Sequence, residues 1–173
     1  MDILKVFKNR RSVRKYLDKL IPKTIIDTIL EYVFYAPTGA NRKPVEVIVI
    51  DDKNTIEKIR NCRADHFKFL ETAPLCFVVL VDEKKSTAWQ CDASIAAIYI
   101  QLLAQNFDLA SCWGHVHNRY YNGNSTEECI RRILNVPNNL RILCVIGVGY
   151  PNEKKAPHSN NEVDKHKIHF NKY

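Results

Sequence analysis

Three guanidiniums and a hydroxyl stand within five residues at Arg10-Arg11-Ser12-Val13-Arg14. Arginine presents planar, forked donors that match a phosphate two bonds at a time, so this run can clamp one. It could equally be a solvated basic turn making surface ion pairs. The charge of the chain bears on that choice. Lys and Arg number 26 against 19 Asp and Glu, a net +7. The excess is local: residues 1–23 carry Lys5, Lys8, Arg10, Arg11, Arg14, Lys15, Lys19 and Lys23 against only Asp2 and Asp18. Such a segment implies an anionic partner, either nucleic acid or a small phosphorylated ligand. Nucleic-acid binders interleave aromatic residues with the charge, and only Phe7 and Tyr16 lie near it, so no nucleic-acid partner is expected. The five glycines (Gly39, Gly114, Gly123, Gly147, Gly149) form neither GxGxxG nor GxxxxGK(S/T). Side chains, not a glycine-rich cradle, must therefore hold any phosphate.

A second constellation runs from Ala36 through Pro37, Thr38, Gly39, Ala40, Asn41, Arg42 and Lys43 to Pro44. Pro and Gly fix a tight loop, while Thr38 and Asn41 can both donate and accept, as reading the edge of a heteroaromatic ring requires. A plain helix-to-strand connection would look similar. Cys112, His115 and His117 lack a fourth ligand at metal spacing, so no metal is expected. Asp82, Glu83 and Asp92 form no acid–base pair, and no side chain is assigned a catalytic role. The six cysteines (Cys62, Cys76, Cys91, Cys112, Cys129, Cys144) contain no CxxC pair and sit mostly in apolar runs. They read as reduced, mostly buried thiols.

The elements that must position these groups follow from periodicity. Residues 2–8 read as a short helix. Pro22 opens a second, with Ile25, Ile26, Ile29, Leu30, Val33 and Phe34 on one face. Residues 45–50 form a strand, and 55–62 a weak helix. The continuous apolar runs 75–82 and 141–148 read as strands buried on both faces. Residues 92–107 are apolar almost all round and predict a central, buried helix. LASCWGHVH (109–117) leads out of it as a connection. Ser125 and Glu128 form a capping box opening a helix over 126–134. At 173 residues, with no repeats or linker composition, the chain is expected to be a single domain, 1–173, of α/β or α+β class with a mixed sheet. No apolar run reaches the ~20 residues of a membrane span, and the charged N-terminus lacks a signal's apolar stretch. The expectation is a cytoplasmic protein without a membrane partner. The polar tail from Tyr150 cannot fold alone.

These segments resemble the nitroreductase family along nearly the whole chain. The family's opening RRSxRxY is met by Arg10 to Tyr16, and its AP(S/T)xxNxQPW loop by Ala36 to Val45, with Lys43 for Gln and Val45 for Trp. APxxIVV resembles Ala73 to Val81, GLGTCW resembles Asp108 to Trp113, IGYP resembles Gly147 to Pro151, and KIHYNKW resembles Lys167 to Tyr173. The resemblance implies a three-layer fold with a central mixed sheet flanked by helices, built as an intertwined homodimer with residues 151–173 docking on the partner. It implies a flavoprotein oxidoreductase that passes a hydride from NADH or NADPH through FMN to a small acceptor, such as a nitroaromatic or quinone, in ping-pong fashion. A module storing or sensing flavin with little turnover is the alternative. Carried over by residue, Arg10, Arg11, Ser12 and Arg14 would hold the FMN phosphate, with Lys154 or Lys155 as a further cation. Pro37, Thr38, Gly39 and Asn41 would face the flavin ring, commonly from the other subunit, and Cys112, Trp113, Gly114 and His115 would pass beside it. Asp108 and Ala110 replace the glycines of the GLG turn, which is expected to restrict the backbone there. His166 and His169 would help to dock the tail.

Overall fold

The computed structural model describes residues 2–173. Helix α1 (Ile3–Asn9) is capped by Asp2, whose carboxylate accepts the Leu4 N–H at 3.2 Å. Helix α2 (Lys23–Val33) starts after Pro22 and buries Ile29 and Val33. Strand β1 (Val45–Ile50), helix α3 (Lys53–Asn61), strand β2 (Leu75–Asp82) and helix α4 (Trp89–Asn106) follow. Then come strand β3 (Ala110–His115), the two-residue strands β4 (Tyr120–Tyr121) and β5 (Asn124–Ser125), helix α5 (Thr126–Leu134) and strand β6 (Leu140–Gly149). Of the expected capping box the N-cap half forms: Ser125 Oγ accepts the Glu128 N–H at 3.3 Å, while the Glu128 carboxylate accepts from Arg131 Nε at 3.1 Å instead.

The main sheet has the order β1-β2-β6-β3, every neighbour antiparallel. The parallel pairing expected of a mixed sheet is reduced to one bridge, Ser12 to Ser111. The reason lies in the order: β2 and β3 run the same way, but β6 is inserted between them in the opposite sense. The stretch 109–117, expected as a connection, supplies the edge strand β3. Its ASCWGH sequence has small residues and no clean alternation, and only the ten-residue β6 beside it fixes it as a strand.

Side chains on one sheet face form a core with α3, α5 and the turn Lys68–Leu70, and those on the other pack against α2 and α4. These are the three layers the resemblance implies. Helix α4 presents Ala93, Ala96, Ala97 and Ala104 to the sheet, which lets it approach closely. Ile95, Ile98 and Leu102 on its far side stay half-exposed, so the helix is not buried all round within one chain.

Two of the six cysteines are not free thiols: Cys62 and Cys129 are joined, 67 positions apart in sequence and with Cα atoms 5.7 Å apart. The ends of α3 and α5 share one sheet face, a proximity that cysteine spacing cannot reveal. Cys76, Cys112 and Cys144 are buried thiols as expected, and Cys91 is an exposed one. Among the described residues no helix is long and apolar enough to cross a membrane, and no group of three His, Cys, Asp or Glu could hold a metal.

Candidate active site

The basic segment lies across the ends of β3 and β6. Val13 donates its N–H to Ser111 O at 3.1 Å, Leu17 to Tyr150 O at 2.9 Å, and Asn152 to Lys15 O at 2.8 Å. Tyr16 is the anchor. It is 2% exposed, and its hydroxyl donates to Val13 O at 2.6 Å. Its pKa is raised far above that of a free phenol, first by burial. Gly149 makes this docking possible, because a Cβ there would sit 2.7 Å from Pro74 Cδ and 2.9 Å from Tyr16 Cβ.

Arg10, Arg11 and Ser12 are half-buried and Arg14 is exposed. The Arg11 Nη1 donates to Ala156 O, and the Arg14 N–H donates to Glu153 Oε1 at 2.5 Å. Glu153 also pairs with Lys155 at 3.2 Å. The Arg14 N–H first, and then Lys155, holds its carboxyl below the usual range. A concavity of about 390 Å³ is lined by Arg11, Lys154, Lys155, Glu153 and Asp108. Lys155 is thus committed to Glu153, while Lys154 has no carboxylate within 4.0 Å among the described residues. Asp108 takes the left-handed conformation its glycine counterpart would use (φ 57°), against the expected restriction. The short polar side chain of Asp tolerates that region. Ala110 has a negative φ and needs no such freedom.

In β3 the four expected residues divide by face. Cys112 is buried in the α3/α5 core, where burial pushes its thiol up and the nearby Arg14 partly offsets this. Gly114 faces the same way, and a Cβ there would lie 2.7 Å from Phe67 Cε1. Trp113 and His115 project half-buried from the opposite face, stacked with centroids 6.4 Å apart. The Cys112 side chain therefore offers nothing outward. Antiparallel ladders turn alternate residues' N–H and C=O away from the partner strand. The outward set is Ser111, Trp113 and His115: the Ser111 carbonyl accepts from Val13, and the His115 carbonyl accepts from Arg63 Nη1 at 3.1 Å. Between them lies an open edge with the Trp113 and His115 N–H groups. Burial, then Arg119, His117 and Arg63, hold the His115 pKa below its ordinary value.

The loop from Pro37 stands at the other end of the sheet. It contains a turn at Gly39–Asn41, with Ala40, Asn41 and Lys43 all at positive φ (49°, 54° and 48°). Three non-glycine residues in that region are strained, so the surroundings must hold them. The Lys43 N–H donates to Thr38 Oγ1 at 3.0 Å, and the Gly39 N–H to Asp92 Oδ1 at 2.8 Å. Pro37, Gly39 and Asn41 are exposed and Thr38 half-buried. The Asp82 N–H donates to Pro44 O, whereas the basic segment sits by Ser111 and Val148. Asp82 pairs with Leu140 and Ser111 with Val148. Those eight residues of β6 place the two constellations about 26 Å apart. One chain does not bring them together.

Close by, Glu127 accepts from Arg141 Nε at 2.8 Å, Arg131 Nη2 at 3.2 Å and the Ile142 N–H at 3.1 Å. Burial alone would raise its pKa, but the Arg141 bonds keep it below the usual carboxyl range. Arg141 Nη2 lies 3.2 Å from His117 Nδ1. His117 is thus taken up by structure.

The chain matches the nitroreductase family model over residues 7–70 and 61–150. It is 32% identical over its whole length to a candidate NADH dehydrogenase/NAD(P)H nitroreductase of Methanothermobacter thermautotrophicus, covering 88% of that protein. An FMN-dependent nitroreductase from Clostridium difficile superposes with a TM-score of 0.95 at 38% identity, covering 98% of this chain and 99% of that one. An iodotyrosine deiodinase of Thermotoga neapolitana is 24% identical, over 90% of this chain and 92% of that protein. The chain belongs to the nitroreductase family.

Proposed function

We propose that the chain binds FMN and works as an NAD(P)H-dependent oxidoreductase whose active site is completed by a second copy of itself. The observation that carries this reading is the basic segment laid against the open edge of β3, with Arg11, Lys154 and Lys155 around one concavity. Arg10, Arg11, Ser12 and Arg14, with Lys154 as the uncommitted lysine, would hold the phosphate. The outward Trp113 and His115 N–H groups would donate to the ring, as donors aimed at developing negative charge do. Bound FMN supplies the hydride chemistry, accepting from NADH or NADPH and delivering to a small acceptor such as a nitroaromatic or quinone in ping-pong order.

Pro37, Thr38, Gly39 and Asn41 would reach the ring of the partner's flavin, since they cannot reach their own chain's basic segment. The apolar surface left over supports a homodimer. Ile3, Leu4 and Phe7 of α1, Tyr32 of α2, the adjoining Phe34 and Tyr35, and Ile168, Phe170 and Tyr173 of the tail are all exposed. Surface of that extent on one chain marks an interface. We read residues 1–173 as one domain whose segment 151–173 docks on the partner. The storage-only alternative rests on the loss of the glycines at 108 and 110; the left-handed Asp108, and an Ala110 that needs no positive φ, speak against it. The test is the absorption spectrum of purified protein during anaerobic titration with NADH and NADPH. Yellow protein that bleaches supports the reading, and colourless protein that takes up no FMN overturns it.

A further inference from the structure

Beyond the open edge of β3, at the end away from the basic segment, stands a group of cations without counter-ions. Arg63 follows the last turn of α3. Its Nη1 holds the His115 carbonyl, and its Nε is buried with no hydrogen-bond partner. Arg119 lies four residues past β3, in a turn closed by its N–H donating to Val116 O at 3.1 Å. Among the described residues neither Arg63 nor Arg119 has a carboxylate within 4.0 Å. Asp65, two residues from Arg63, is met by the Tyr121 hydroxyl at 3.3 Å. The two guanidiniums repel each other, and Arg119 also acts on His115.

Like charges gathered around an orphaned buried donor cost stability unless an anion joins them. The cluster is also held in place. Cys62, beside Arg63, is tied to α5 by the disulfide, and Phe67 and Phe69 fill the space under Gly114. Ser111 to His115 spans about 13 Å of strand, so this cluster is separate from the proposed phosphate end.

We propose that Arg63, Arg119 and the His115 ring form a subsite for an oxyanion group, carboxylate or phosphate, carried by a substrate that reacts at the β3 edge. This rests on the function proposed above. Forked guanidinium donors suit either oxyanion. The phosphate would be the 2′-phosphate that distinguishes NADPH from NADH. The carboxylate would belong to the acceptor.

The test uses the FMN-loaded protein, wild type and Arg119→Gln, a substitution at an exposed side chain that leaves the Arg63–His115 bond in place. Two substrate pairs are compared: NADPH with NADH, and 4-nitrobenzoate with the uncharged 4-nitrobenzamide. In one pair the kcat/KM ratio of charged to uncharged partner should fall about tenfold in the variant, and the affected pair identifies the source of the anion. Arg63→Lys, which keeps the charge, should retain most of the preference. Sulfate added to flavin-free protein gives a second reading through the fluorescence of Trp113, stacked on His115. That response should be lost in Arg119→Gln and kept in Arg10→Ala/Arg14→Ala. Unchanged ratios in both pairs, or an equal sulfate response in wild type and Arg119→Gln, overturn the subsite. If no donor is turned over, the proposed function fails and the sulfate comparison alone decides the subsite.

Discussion

Asp92, 2% exposed in the first turn of α4, accepts the main-chain N–H of Gly39 at 2.8 Å. Its other oxygen, Oδ2, has no partner. A carboxylate is favoured at a helix N-terminus, where it meets the positive end of the dipole. From there it pins the strained left-handed stretch that follows Gly39. Asp92→Ala should leave the Gly39 N–H unmet and cost about 1–3 kcal/mol. Asp92→Asn, which keeps an accepting oxygen, should cost less. Urea denaturation of the three proteins checks this, and equal midpoints would show that the bond holds nothing.

Lys154 and Lys155 are adjacent, yet only Lys155 is paired with Glu153. Lys154→Ala should therefore weaken FMN by about 1.5–3 kcal/mol, the range for a hydrogen bond to a charged group. Lys155→Ala should weaken it less. Calorimetric titration of FMN into both variants gives the order, and a larger loss at Lys155 would reverse the assignment.

The His115 pKa is lowered by burial and by the neighbouring cations. A group whose folded pKa lies below its unfolded value of ~6.5 is neutral in the native state at pH 7. As pH falls through 6.5 the unfolded chain takes up the proton first, so stability is lost with acidification. The stability of His115→Gln relative to wild type should then rise as pH is lowered from 7 to 5. Any effect of the imidazolium on the flavin potential should appear at lower pH than the ~6.5 at which a free imidazole takes up its proton. Denaturation curves and potentiometry over this range check both, and parallel curves would leave His115 without an electrostatic role.

The Cys62–Cys129 bond closes a loop of 67 residues, for which chain entropy gives a stabilisation of about 4 kcal/mol. Cys129→Ser should lower the denaturation midpoint strongly. Alkylation in denaturant without reductant should label four of the six cysteines. Labelling of all six would show that the bond is absent from the isolated protein.

Local signals carried much of the fold. Ser125 and Glu128 set α5 to the residue, and the unbroken apolar runs gave β2 and β6, because caps and buried strands are written in adjacent residues. Strand β3 was hidden, since its residues are strand-like only beside β6. Of the candidate site, the sequence marked the basic segment, the Thr38–Asn41 loop and the lysines after Pro151. It did not mark Arg63, whose role depends on a carbonyl 52 residues away. Asp92 stands at the start of the stretch 92–107 that predicts a helix, and its bond to Gly39 spans 53 residues. The signal that could have flagged Arg63 is weak: an arginine just past a helix end, next to a cysteine.

The central claim is that one site takes its basic segment from one chain and its Thr38–Asn41 loop from another. The direct measurement is complementation between two variants defective in flavin binding, Arg10→Ala/Arg14→Ala and Thr38→Ala/Asn41→Ala, refolded separately and then together in equal amounts. Random pairing makes half of the dimers mixed, each with one intact and one doubly defective site, so about a quarter of all sites should bind FMN. Recovery of yellow colour near that fraction, from two colourless parents, is the expected result. A mixture as colourless as its parents, while wild type refolded in parallel turns yellow, would contradict a site shared between chains.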